Sequence, residues 1–187
     1  MILACFFATS VLAQETYTVN TEASVINWTG EKVIGNSHEG TLKFKSGELN
    51  IEDGELVGGN FVVDMTTLDN NDLSGKMKAK LVGHLKSADF FNVSEHNTSS
   101  LTIKKVGKDR NGLAQITADL TIKGNTEKVT FPAFMQEKGD KIVASAELIF
   151  DRSKFNVRYG SGSFFDNLGD KAIEDEIKIQ VNLQAAK

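Results

Sequence analysis

The chain has 187 residues, a formal net charge of −4 and 25% charged residues, with Lys and Arg scattered among Asp and Glu. No basic stripe appears, so the electrostatic footprint of a nucleic-acid binder is missing. The length suits one domain with a core large enough to need neither disulfides nor metals.

In chain order, residues 1–13 carry no charge, are mostly apolar and close on Val11-Leu12-Ala13 before the polar Gln14-Glu15-Thr16. They read as a signal peptide cleaved at Ala13, leaving 14–187 as the exported domain. Within them Ile2-Leu3-Ala4-Cys5 resembles a lipobox, so lipid anchoring through Cys5 is the minor alternative. Cleavage at Ala13 would remove the chain's one cysteine, and with it thiol catalysis and thiolate metal ligation. No later segment approaches the roughly 18 continuous apolar residues of a spanning helix.

Short alternating runs follow at 25–29, 40–44, 48–51, 61–65, 101–106, 113–122, 128–134 and 142–150, and 177–183 is a closing strand. With a single proline in the chain, the turns fall to Gly, Asn and Asp, as at Asp53-Gly54, Gly124-Asn125 and Gly139-Asp140. The spacing predicts an all-β sandwich or barrel. Two stretches depart from it. Over 73–87, Met77, Leu81 and Leu85 recur every four residues with lysines on the other faces, which predicts a short amphipathic helix. From Tyr159 onward the chain is too rich in Gly and polar residues for a strand and reads as a loop with a minor helical turn near 163–170.

The run 113–122 places Ala114, Ile116, Ala118, Leu120 and Ile122 on one dry face, and 142–150 does the same with Ile142, Ala144, Ala146, Leu148 and Phe150. A closed sheet lined partly by alanine has space for an apolar ligand, whereas the same alanines under bulky neighbours would make an ordinary core. Replacing Ala118 or Ala146 by Phe is expected to shrink such a tunnel.

Signals for chemistry are sparse. His38, His84 and His96 lack ligand spacing for one metal, and there is no Gly-x-Ser-x-Gly elbow, Walker run or Gly-x-Gly-x-x-Gly opening a helix. The expectation is no catalytic residue, no metal and no cofactor. His84, at the end of the predicted helix, can serve the helix dipole or face a ligand head group, and His38 is the second candidate for head-group contact.

Several segments resemble the YceI-like family of bacterial polyisoprenoid-binding, lipocalin-like periplasmic proteins. His84-Leu85-Lys86-Ser87-Ala88-Asp89-Phe90-Phe91-Asn92-Val93 is similar to the family's HLKSxDFFDV signature. Ser24-Val25-Ile26-Asn27-Trp28, His38-Glu39-Gly40 and Leu120-Thr121-Ile122-Lys123-Gly124-Asn125-Thr126 agree with further family segments, and 158–173 resembles the Bacteroidetes-type branch. His96-Asn97 stands where the family usually has Tyr-Pro. The resemblance implies a single extended eight-stranded antiparallel β-barrel with a helix at its opening, and a periplasmic location. It also implies a tunnel for a long isoprenoid, an isoprenoid quinone or a similar apolar lipid, and no well-established catalytic residues. The tail is expected among Trp28, Phe44, Phe61, Val63, Met65, Leu81, Leu85, Phe90, Phe91, Ile103, Leu120, Phe131, Phe150 and Phe155. Transient membrane contact and a homodimer stay open. Two rival readings are an enzyme acting on a lipid or quinone-like head through His84 or His38, and a ligand-free protein-interaction module.

Overall fold

The computed structural model describes residues 14–110 and 112–187. The signal-peptide and Cys5 readings therefore lie outside the described residues. These form nine strands: β1 (Glu15–Val19), β2 (Val25–Lys32), β3 (Ser37–Glu52), β4 (Glu55–Asn70), β5 (Thr98–Lys108), β6 (Ala114–Ile122), β7 (Asn125–Lys138), β8 (Lys141–Asp151) and β9 (Ile173–Ala186). A single α-helix among them, α1 (Gly75–Lys86), joins β4 towards β5.

The sheet order is β1-β3-β2-β9-β8-β7-β6-β5-β4, and β4 returns to pair with β3. β2 lies between β3 and β9 over most of its length, and β1 takes its place further along, pairing Thr16 with Asn50 of β3 and Val19 with Ala185 of β9. Nine strands thus occupy the eight positions of a closed antiparallel barrel, which has no free edge.

Period-two patterning decides which side of each strand faces in. On β6 Ile116, Ala118, Leu120 and Ile122 are buried while the residues between them are half-buried. On β8 Ile142, Leu148 and Phe150 are buried, with Ala144 and Ala146 packed against the same core. The two-residue turns at Asp53-Gly54 and Lys123-Gly124 hold both central residues at positive φ, 51° and 75° in each case, as the hairpin turns that match strand twist require.

Several elements differ from the sequence expectation. The runs 40–44 and 48–51 are halves of one strand, β3, whose pairing with β4 shifts register between them. β1 was not anticipated, because only Tyr17 and Val19 of its five residues are buried and so short an alternation carries little signal. The helix of 73–87 begins at Gly75 and ends at Lys86. The helical turn near 163–170 occurs only at its far end, as a 3-10 turn over Gly169–Lys171, and a second 3-10 turn, Arg152–Phe155, follows β8.

One end of the barrel is tied together by a buried cation. The Arg152 side chain is fully buried and donates from Nε to the Glu174 carbonyl (3.0 Å), from Nη1 to those of Val157 (3.0 Å) and Tyr159 (2.9 Å), and from Nη2 to that of Ile173 (3.2 Å). Its Nη2 also lies 3.2 Å from Asp175 Oδ1, and Asp175 Oδ2 accepts from the Ser161 and Ser163 hydroxyls at 2.8 and 2.7 Å. Burial pulls the guanidinium below its ordinary pKa, and Asp175 and Asp151 oppose that pull. Arg152 therefore fixes the path of the whole 157–175 segment across the barrel end. Arg152→Met should destabilise the protein by about 3–5 kcal/mol, since it strands the partly buried Asp175 and leaves those carbonyls unpaired. Thermal unfolding should show a fall in Tm of about 10 °C, which Arg152→Lys should rescue only in part.

Candidate functional site: an apolar cavity and its polar rim

The inward side chains do not fill the barrel. They enclose a cavity of about 420 Å3, within the size range of small-molecule pockets. On β3 its lining runs from His38 to Leu49, about 36 Å along the strand at about 3.3 Å per residue.

Of the side chains expected around a tail, Trp28, Phe44, Phe61, Val63, Met65, Leu81, Leu85, Phe90, Phe91, Ile103, Leu120, Phe131 and Phe150 all stand in this wall. Phe155 does not. It is fully buried in the 3-10 turn after β8, edge-on to Phe150 with ring centroids 5.4 Å apart, so it backs the wall without reaching the cavity. The expectation missed the β9 contribution, Ile177, Ile179, Val181 and Leu183, although their strict alternation is visible in the sequence.

Small residues explain the space. Ala114 on β6, Ala133 on β7 and Ala146 on β8 stand directly opposite one another and form a row of alanines along the wall, with Ala144 beside it. Ala118 belongs to a different environment. It is fully buried between its partners Ile103 and Val129 and lies outside the cavity lining, so a larger residue there would strain the wall instead of plugging the cavity.

The roof is α1, and an irregularity in the sheet seats it. Thr41 pairs with Asp69 but Lys43 with Asp64, so β4 carries extra residues opposite β3, which lets both Met65 and Leu68 face the cavity. The Thr67 hydroxyl secures the bulge, accepting from the Lys43 amide (2.9 Å) and donating to the Asp64 carbonyl (2.6 Å). Two lysines of α1 then grip the bulged strand, Lys78 Nζ on Asp69 Oδ2 and Lys86 Nζ on the Thr66 carbonyl, both at 2.7 Å. Leu81 and Leu85 are thereby held over the cavity.

Polar groups collect at the rim beneath this roof. His38 Nδ1 lies 2.7 Å from Asp72 Oδ2, and Asp72 Oδ1 accepts from the Glu39 amide at 2.9 Å and from the Asn70 side chain. Burial pushes the Asp72 carboxyl upward, yet the Glu39 amide, His38 and Asn70 together outweigh it and hold the pKa at about 2. His84 presents its ring edge-on to Tyr159 (4.4 Å) and Phe90 (5.3 Å), with Nε2 3.8 Å from Asp89 Oδ2. Both histidines line the cavity, as do Glu31, Lys32 and Asn36. Chemically this is an apolar chamber with hydrogen-bonding groups gathered at one opening. Among the described residues no cluster of three His, Cys, Asp or Glu side chains is placed to hold a metal.

Fold and site together define an extended lipocalin-like barrel with a helix-roofed apolar chamber. A model of the YceI-like domain matches residues 17–185, and the chain belongs to that family. A UPF0312 protein of Vibrio parahaemolyticus is 30% identical over 115 residues, 62% of this chain and 55% of that protein. Protein YceI of an Escherichia coli O17:K52:H18 strain is 36% identical over 81 residues, 43% of this chain and 39% of that one. The matched stretches thus span about half or less of these curated relatives. Among solved structures, Burkholderia cenocepacia BcnA superposes with a TM-score of 0.70 at 22% identity, over 90% of this chain and 99% of that one. A polyisoprenoid binding domain from Saccharophagus degradans gives 0.64 at 15% identity, over 91% and 97%. These two establish the shared fold.

Two outcomes follow from the rim. A Cβ on Gly40 would lie 1.9 Å from the Asp69 carbonyl and 2.7 Å from the indole of Trp28, whose Nε1 donates to that carbonyl at 3.0 Å. Gly40→Ala should therefore cost about 2 kcal/mol or more in denaturant unfolding and alter the emission of Trp28, the chain's one tryptophan. Asp72, held near 2 against an ordinary 3.8, contributes stability that is present above about pH 4 and lost as pH falls towards 2. Asp72→Asn should be less stable than the native protein at pH 7, by no more than about 2 kcal/mol, and the difference should shrink as pH drops through that window.

Proposed function

We propose that this protein is an exported, non-enzymatic carrier that holds a long-chain apolar lipid of the polyisoprenoid or isoprenoid-quinone type inside the barrel, acting in the periplasm. The observation that carries the proposal is the cavity itself, walled mainly by Leu, Ile, Phe and Ala along its length, with its charged and imidazole groups at the rim. The likeness to the Saccharophagus degradans polyisoprenoid binding domain supports the choice of ligand class.

The energetics suit carriage. Moving a tail from water into the chamber gains about 0.8 kcal/mol per methylene, but moving it there from a bilayer gains little. Tail burial therefore holds the cargo in water without making its return to a membrane unfavourable. Head-group contacts at His38 and His84 then set the balance between loading and release.

The test is mass spectrometry of lipids extracted from the native protein beside an Ala146→Phe variant, whose ring would project from the alanine row into the chamber. One enriched long-chain species in the native protein, depleted several-fold in the folded variant, is the expected result. Equal lipid content in both would contradict a cargo held in this chamber.

A further inference from the structure

We propose that the mouth of the barrel is a membrane-docking face, where the Val33-Ile34 tip, the Phe164-Phe165 tip and the outer turn of α1 sink shallowly into a lipid bilayer. This rests on the carrier reading, and it specifies where cargo crosses. Ile34 is 66% exposed, Met77 63%, Val33 52%, Phe165 50% and Phe164 40%, all at the end that carries the rim.

These residues form one surface. The Val33 amide donates to the Ala172 carbonyl at 3.0 Å, and Ser161 bridges to Ile173 just before the Phe164-Phe165 tip, whose amides both turn back onto the Ser161 carbonyl. Val33, Gly162, Ser163, Ala172 and Ile173 line a shallow groove beside the two tips, together with the carboxylates of Asp151, Glu174, Asp175 and Glu176. The α1 face that buries Leu85 and half-buries Leu81 continues one turn further to Met77, which stands exposed to solvent. Tyr159, edge-on to His84, links this helix to the second tip.

The surrounding charge is mixed, with long cationic side chains nearest the apolar tips. Lys76 and Lys80 flank Met77 on exposed faces, Lys32 adjoins Val33, and the Arg158 guanidinium lies 4.8 Å over the Phe164 ring. Long cationic side chains around apolar tips are the arrangement of surfaces that lie in a membrane interface, with the heads reaching back to the phosphates. Asp166 and Asp170 of the same loop and Asp151, Glu174, Asp175 and Glu176 along the groove oppose this charge, and Glu31 is engaged by Lys178 at 2.7 Å. Apolar insertion is therefore the driving contribution, with the cationic heads reaching phosphates of any phospholipid. A bilayer is also the occupant that the chamber needs, because a tail passing from membrane to rim through such a contact never meets water.

The experiment is cosedimentation of the full chain with phosphatidylethanolamine vesicles containing about one-fifth phosphatidylglycerol, comparing native protein with an Ile34→Ser, Phe165→Ser double variant. Both positions are exposed, so the variant should fold normally. Native protein should partition onto vesicles, and the variant at least about ten-fold less. Unchanged partitioning of the variant, or no partitioning of the native protein, would overturn the proposal. So would a native dimer that the variant splits to monomers, since the face would then bind a second copy. Binding of an apolar fluorophore in the chamber is read separately on both proteins. Its retention in the variant shows that docking alone was removed, and its absence from the native protein would count against the carrier reading while leaving the vesicle result to decide docking.

Discussion

Closing a sheet around side chains too small to meet across it is the constraint on which the rest of this structure depends. A barrel of eight positions can just be filled when its inward residues are large. Here the row Ala114, Ala133 and Ala146 withdraws volume from one wall, and the chamber it borders stays open although Phe44 and Phe61 also line it. The space is stable because the walls are fixed by ladder hydrogen bonds all the way round, so local collapse, the usual fate of an underfilled core, would have to break the sheet.

The two ends of the barrel are built differently, and the difference gives the chamber a direction. Where β1 enters the wall, Tyr17, Leu49, Ile51 and Ile142 pack to full or nearly full burial, and the Tyr17 hydroxyl donates to Glu137 at 2.7 Å. At the other end the covering segments carry more polar and glycine residues. Their positions come from discrete polar anchors: Arg152 under the 157–175 segment, Asn70 and Asp72 under the start of α1, and Lys78 and Lys86 along the helix. A roof held by such anchors can move as a unit more readily than a packed hydrophobic end, which fits an opening through which a ligand passes.

Much of the barrel was legible in the sequence because period-two alternation is a local signal. β6, β8 and β9 read directly from it, and of the inward residues so placed on β6 and β8 all but Ala118 and Ile142 line the chamber. The helix was legible for the same kind of reason, from the four-residue recurrence of Met77, Leu81 and Leu85. Where local periodicity fails, reading failed too. Phe155 belongs with the wall phenylalanines only if it stands on a strand, but the chain turns at Asp151, whose side chain accepts from the Ser153 amide and starts a 3-10 turn. The β4 bulge puts Met65 and Leu68, three apart, on one side, which no strand period predicts. Ala118 and Ala146 look alike in sequence, and only the register shows that one sits under Ile103 and Val129 while the other faces open space.

The polar anchors were the least legible. Arg152 finds its carbonyl partners up to 22 residues away, and His38 meets Asp72 across 34 residues. Family resemblance pointed to both rim histidines without supplying their partners. The central claim, that an apolar tail occupies this chamber, is tested most directly through Trp28, the one tryptophan, which stands in the wall. A long-chain lipid brominated at mid-tail should quench Trp28 emission on binding, and the same lipid brominated on its head group should quench it far less. Binding of the tail-brominated lipid with Trp28 emission unchanged would place the cargo somewhere other than the barrel interior.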